Sequence, residues 1–329
     1  MINIGLYTGS TGLLLVHLLM DKYSYMENNQ AKISKYIAEI TDNIYLINNL
    51  SFENGITGIG WALEWCAQHY LLDINSDEIL VDFDDLLYRN IVYSSEHAVS
   101  LNELMGYANY FYRRALSHNN GQNRLRHICH RECLLWVLED IERKHKTFQE
   151  EECLDRTAYM RFLSTYFLLL SKVLMISDKG LETEFYNVSD LIQNEILKAI
   201  NDVISTNRIK MSLLYAAAKL HELFLIVTKR TRQDYWYDRE RVYTSEFKRI
   251  ISMQKTDNRN ALDELVLCAL HYLHTANKPT LLLLSNLRKD ISSMQLSNVL
   301  YRGKGIVEVV RILENIPKKN RDIEELLLL

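Results

Sequence analysis

Four groupings in this chain combine residue types and spacings that chemistry can use. His127-Ile-Cys129-His130-Arg-Glu-Cys133 gathers thiols and imidazoles, the donor types that zinc takes. On a helix Cys129 and Cys133, four apart, share a face with His130 beside them. No second Cys/His pair stands at finger spacing, so the segment reads as a half-buried helix with small hydrophobes and exposed histidines. Gly5, Gly9 and Gly12 form a glycine-rich run of the kind that cradles phosphate. Only four residues precede it, too few for the strand that leads into a dinucleotide turn. Cys268 and His271 lie inside an apolar run and read as core. The fourth grouping is acidic: Glu53, Glu103, Asp155 and Asp263 each stand at the head of an apolar run. Converging at one mouth, two such carboxylates would make the acid/base pair of a glycosidase. Taken singly, each is a first-turn acid that stabilises a helix N-terminus.

The elements that must carry these residues are helices. Among 329 residues there are only 11 glycines and 2 prolines, too few for the turns of a sandwich, barrel or propeller, and the chain reads as all-α. With 38 basic against 42 acidic residues, net −4, there is no basic surplus to drive binding to phosphate backbones, which argues against a nucleic-acid partner. The five cysteines are odd in number and scattered, as suits a reduced compartment. Leu13–Met20 is apolar but too short to span a bilayer and lacks a basic flank. The expectation is a cytoplasmic protein with no membrane partner.

The glycines are not spread evenly. Nine of the 11 fall in or beside four turns: Leu6-Tyr-Thr-Gly9-Ser-Thr-Gly12, Phe52-Glu-Asn-Gly55-Ile-Thr-Gly58-Ile-Gly60, Leu104-Met-Gly106 and Leu300-Tyr-Arg-Gly303-Lys-Gly305. Each turn opens a helix that is apolar nearly all round, as Trp61, Leu63, Trp65, Cys66 and Tyr70 show after the second, and such a helix must be enclosed. Phe162–Leu170, Leu213–Val227 and Leu265–Leu273 are further enclosed segments without a glycine turn. Between them lie amphipathic stripes at 3–4 spacing: Ile33 to Ile47, Ile192 to Ile204 and Val242 to Ile251. Enclosed helices start near residues 9, 55, 106, 158, 212, 264 and 303, mostly about 50 apart, the period of a two-helix repeat. Seven such repeats in one continuous domain, residues 1–329, describe an inner ring of helices walled by an outer one. A two-layer solenoid gives similar periodicity, but the shared Leu-Tyr-x-Gly pattern of the first and last turns favours a closed toroid. The tail Ile323–Leu329 is a candidate for completing the outer wall.

The glycine turns resemble the repeated motif of the lanthionine synthetase C-like family, most specifically in repeats one, two and seven. The resemblance implies a seven-fold α/α toroid and a role in maturing a ribosomally made peptide. Family enzymes add a cysteine thiol to a dehydroamino acid. They use a zinc held by a Cys in one turn and a Cys-His-Gly in the next, which lowers the thiol pKa. The corresponding fifth and sixth turns here read Ile209-Lys-Met-Ser-Leu-Leu-Tyr215 and Ala261-Leu-Asp-Glu-Leu-Val-Leu-Cys268, without that ligand set. No zinc ligand carries over, and no other cofactor is implied.

In a ring, the residues just ahead of the inner helices gather at one mouth: Tyr7, Glu53, Asn54, Glu103, Asp155, Arg156, Asp263 and Arg302. They are the expected substrate-binding set, with Tyr7, Tyr107, Tyr110 and Tyr301 able to stack on a peptide or sugar. The glycine turns (Gly9, Gly12, Gly55, Gly58, Gly106, Gly303, Gly305) are structural, serving positive φ and close helix approach. The expected function is binding a precursor peptide or a companion modification enzyme, with the zinc chemistry lost. An active enzyme on the same toroid, either a cyclase with relocated zinc ligands or a metal-free glycosidase-type hydrolase, is the alternative.

Overall fold

With few helix breakers and apolar residues at helical spacing, the chain folds into helices, and no strand occurs among the described residues. The computed structural model describes residues 3–23, 29–93, 99–119, 124–150, 156–174, 181–206, 211–231, 261–275, 278–293, 305–315 and 326–327. The helices are α1 (Ser10–Lys22), α2 (Gln30–Asn43, continued by a 3₁₀ turn), α3 (Ile56–Gln68), α4 (Ser76–Ile79), α5 (Val81–Tyr93), α6 (Leu101–Ala115), α7 (Arg124–Glu150), α8 (Arg156–Val173), α9 (Glu182–Thr206), α10 (Met211–Arg230), α11 (Ala261–Thr275), α12 (Lys278–Ser293) and α13 (Ile306–Asn315). The stripe Val242–Ile251 lies outside the described residues. None of the described helices is long and apolar enough to cross a membrane.

The helices form two compact units. Residues 1–152 with 297–308 make unit 1, and residues 153–296 with 309–329 make unit 2. In unit 1 the enclosed helices α1, α3 and α6 pack in series. Half-exposed partners cover them: α2 lies on α1, α7 on α6, and α5 against α3 and α7. Trp61, Trp65, Tyr107, Tyr110 and Phe111 fill the middle, all essentially without solvent contact. Unit 2 repeats the scheme: α8, α10 and α11 pack in series, α9 covers α8 and α10, and α12 covers α11. Its core stacks Phe167 between Phe185 and Phe224, with centroids 4.8 Å and 5.6 Å away. In each unit, enclosed helices thus pack on one another with half-exposed helices laid over them.

The first two glycine turns are the same structure built twice, 46 residues apart. Asn3 Oδ1 accepts from Gly5 N (3.0 Å), and Asn49 Oδ1 accepts from Ser51 N (2.8 Å). Asn3 O then accepts from Ser10 N, and Asn49 O from Ile56 N, at 3.0 and 2.9 Å. The Thr11 hydroxyl donates to Ile4 O and the Thr57 hydroxyl to Leu50 O, again seven residues back. Gly9 and Gly55 occupy the N-cap positions with φ −130° and −121°, both in extended backbone. Positive φ is therefore not why they are glycines. A Cβ on Gly9 would lie 2.3 Å from Gly5 N, and one on Gly55 would lie 2.4 Å from Asn49 O. Close backbone approach selects the residue.

Gly12 and Gly58 sit inside the first turns of α1 and α3, and Gly106 is the sixth residue of α6 rather than a residue ahead of it. The helix of the third motif instead begins at Leu101, capped by Ser100, whose side chain and that of Glu103 form a reciprocal capping box. Gly106 serves packing: its Cβ would meet Thr57 Oγ1 at 3.0 Å and Phe52 Cβ at 3.2 Å, so α6 crosses tight against the second turn. Gly305 is buried just ahead of α13, and Gly303 lies outside the described residues. Tyr70, expected within an apolar helix, is instead 94 % exposed with φ 55°. It holds the left-handed position that ends α3, with Tyr70 N donating to Ala67 O and Leu71 N to Cys66 O, the Schellman pattern usually built on glycine.

These geometries predict stability changes of opposite sign. An alanine methyl at Gly58 would fall 1.8 Å from Phe52 O, a backbone atom that cannot swing away. Gly58→Ala should therefore lose about 2–3 kcal/mol despite the better helix propensity of alanine. Tyr70→Gly should gain about 1 kcal/mol by relieving the left-handed backbone. Urea midpoints of the two variants against the parent protein test both.

Candidate functional site

At the turn-bearing end of unit 1, the first two turns are stitched side by side. Tyr7 N donates to Glu53 O at 2.7 Å, and Asn54 Oδ1 accepts from both Thr8 N (3.2 Å) and Thr8 Oγ1 (2.7 Å). Asn3 Nδ2 donates to the same hydroxyl at 2.7 Å. Three of the expected mouth residues, Tyr7, Glu53 and Asn54, are therefore brought together, with Asn54 as the linchpin. Tyr7 and Phe52 form an edge-to-face pair with centroids 6.4 Å apart, both half-exposed, and Glu53, next to Phe52 in sequence, is exposed. This surface offers two aromatic rings and a carboxylate, a combination suited to holding a polypeptide.

Glu103 is committed elsewhere. Its carboxylate accepts from Ser100 N at 2.8 Å and Ser100 Oγ at 2.7 Å, closing the cap of α6. It acts as a helix-capping acid, not as half of an acid/base pair. Tyr107 and Tyr110 are buried in the core, against the expectation that they stack on a ligand, because the inward face of α6 carries them. Burial, with Glu103 nearby, pushes the Tyr107 phenol up to about 12.

In unit 2, Arg156 begins α8 and ties it to α9. Its Nε donates to Glu195 Oε2 (2.9 Å), a second nitrogen to Asp202, and a third to the Glu195 carbonyl. Asp263 is exposed in the first turn of α11. Beside it burial raises the Glu264 carboxyl. Asp155 and Arg302 lie outside the described residues.

The zinc set implied by the resemblance does not fit the donors found. Cys268 Sγ lies against Thr280 O at 3.7 Å, and His271 Nδ1 pairs with Glu222 Oε1 at 2.9 Å within the core of unit 2. On α7, Cys129 is exposed whereas Cys133 is buried, and burial with Cys129 and Asp84 nearby pushes the Cys133 thiol up to about 12. Among the described residues no three His, Cys, Asp or Glu side chains are grouped to hold a metal ion.

His130, expected at the surface, is 3 % exposed, because it completes a buried ionic network that the motifs did not mark. At the centre is Arg114 of α6, fully buried. Its Nη1 donates to Glu64 Oε2 (2.6 Å) and Ser76 Oγ (3.4 Å). Its Nη2 donates to Asp77 Oδ1 (3.0 Å) and Asp84 Oδ2 (2.8 Å), and its Nε to Asp84 Oδ1 (3.1 Å). All five guanidinium N–H groups are used, two of them in a fork on Asp84. Tyr110 Oη donates to Asp84 Oδ1 at 2.7 Å, and His130 Nε2 lies 3.1 Å from Asp84 Oδ2. The one legible sign in the sequence was Glu64, an acid in the otherwise apolar helix Ile56–Gln68, which had to find a buried cation.

Burial alone would raise the Asp84 carboxyl, but His130 and Arg114 against it outweigh burial and hold it down at about 2. A carboxyl near 3.9 in the unfolded chain and about 2 in the folded one stabilises the fold above pH 4 and loses that contribution as pH falls from 4 to 2. The contribution is on the order of 2 kcal/mol. Thermal melts between pH 5 and pH 2 should show this decline in the parent protein, and Asp84→Asn should flatten it; equal slopes in the two would refute the assignment.

No family model, curated protein or solved structure matches the chain, so the reading of its site rests on its own residues.

Proposed function

We propose that this protein is a non-catalytic helical-repeat scaffold of the lanthionine synthetase C-like type. It binds a ribosomally made precursor peptide, or the enzyme that modifies it, in the cytoplasm. In this reading the two-helix repeats of both units are successive members of one seven-fold toroid, and the polypeptide lies over the glycine-turn end. The observation that carries it is the duplicated turn: two copies with the same hydrogen bonds, held together by Asn54, present Tyr7, Phe52 and Glu53 on one surface. The aromatic pair would clasp an extended peptide, and Glu53 would meet a basic side chain or backbone amides. The pairing of His271 with Glu222 and the commitment of Glu103 to its cap support a binding role over zinc cyclisation or glycoside hydrolysis.

The test uses the purified chain and dehydrated synthetic peptides rich in Ser, Thr and Cys. Binding followed by calorimetry should weaken about tenfold in Tyr7→Ala and Phe52→Ala, the loss expected of an aromatic anchor. The peptides should undergo no thiol addition when zinc is supplied. Stoichiometric zinc that is lost in Cys268→Ala and His271→Ala, together with cyclised product, would overturn the non-catalytic reading. Undiminished binding in both aromatic variants would overturn the proposed surface.

A further inference from the structure

Helix α5 is held to unit 1 by little of its surface. Of its 13 residues only Asp84 and Leu87 are buried, and Asp84 is there for the Arg114 network. The opposite face carries Asp82, Asp85, Leu86, Arg89, Val92 and Tyr93, all exposed, at the 3–4 spacing of a helix that packs along a seam. Three of these are apolar or aromatic: Leu86 is 37 % exposed, Val92 40 % and Tyr93 79 %. A surface helix ordinarily turns charged and polar residues this way. The charges on the face are also left open. Asp85 and Arg89 stand four apart, yet among the described residues neither makes an ion pair, whereas the same spacing is closed at Lys35–Glu39 (3.6 Å) and at Lys146–Glu142 (2.5 Å). Along the seam the order runs acidic, acidic, basic, apolar, and such an order is complementary to its own reverse.

We propose that this face of α5 pairs, antiparallel, with the same face of a second copy of the chain. A two-fold axis level with Leu87 sets Asp85 opposite Arg89 of the second copy, and does so twice because the interface is isologous. It brings the two Leu86 side chains together beside the axis. It lays Val92 and Tyr93 over Val81 and Asp82 of the other helix, where the phenol can donate to the Asp82 carboxylate. A parallel pairing is disfavoured, since it faces Asp82, Asp85 and Arg89 each with its own like. A basic helix from another protein would suit the two aspartates but set cations against Arg89, and an acidic helix would meet two aspartates; the second copy answers all three charges at once. Thirteen residues make a contact about 20 Å long, well below a standard interface, so the dimer is weak and reversible. The pairing asks nothing of the glycine-turn surface, and either reading can fail alone.

Sedimentation equilibrium on the full chain, from about 5 to about 200 µM, tests this. The mass should rise from 38.7 kDa toward twice that, and the association should weaken several-fold as salt rises from about 50 to about 300 mM. Arg89→Asp and Asp85→Arg should each weaken the dimer about tenfold, because each turns two attractive cross-pairs into repulsive ones. Combined in one chain, the two substitutions should restore it. Val92→Ser should weaken it at unchanged charge. All these positions are exposed, so circular dichroism should be unaltered in every variant. A parent chain that stays monomeric up to about 200 µM overturns the proposal, including one that instead binds a Lys-rich amphipathic peptide. So does undiminished association in both single charge variants, or a charge-swapped chain as monomeric as either of them.

Discussion

Unit 1 depends on a single buried cation. Arg114 reaches from α6 to Glu64 on α3, Asp77 and Ser76 on α4, and Asp84 on α5, and Asp84 in turn faces His130 on α7. Removing these charges from water costs several kcal/mol per ion, and the cost is offset only because every guanidinium hydrogen finds an acceptor. Apolar contacts tolerate sliding, whereas five directed hydrogen bonds do not. The network therefore sets the register in which α3, α5, α6 and α7 meet. The short helix α4 has little apolar surface to hold it otherwise, with Ser76 its one buried residue.

The consequence reaches the other end of the same helices. α3 and α6 carry Gly58, Gly60 and Gly106, whose missing side chains let them crowd against Phe52, Leu6 and Tyr110. Those approaches are tolerable only at one relative setting of the helices, and the Arg114 network supplies it. With that setting, the two turns fall close enough for Asn54 to bridge them and for Tyr7 and Phe52 to meet edge to face. The ionic network and the candidate binding surface are thus the two ends of one mechanical arrangement.

Charge is distributed along unit 1 with a similar logic. Acids that the fold needs are buried or capped: Glu64, Asp84 and Glu103 each have a cation or helix end to serve. Glu53 stands in solvent beside the half-exposed Tyr7 and Phe52. A monomeric fold gains little from such combinations, and binding surfaces are made of them.

The helices, their pairing into enclosed and half-exposed members, and the duplication of the glycine turn were all legible from residue order, because periodicity and glycine placement are local properties of the chain. So was Glu64 as an acid without an evident partner. The identity of that partner was not legible, since Arg114 lies 50 positions away and Arg113 beside it looks the same in sequence. Nor could residue order distinguish Glu53 from Glu103, both read as first-turn acids: Glu53 lies exposed in the turn ahead of α3, whereas Glu103 closes the cap of α6. Tyr70 was assigned to a helix by its hydrophobicity, whereas the reversal that follows α3 put it in solvent. Local pattern determined which segments are helical and which faces are apolar. Only the tertiary arrangement decided which polar groups meet, because a buried charge takes its partner from whichever helix packing brings within hydrogen-bond reach.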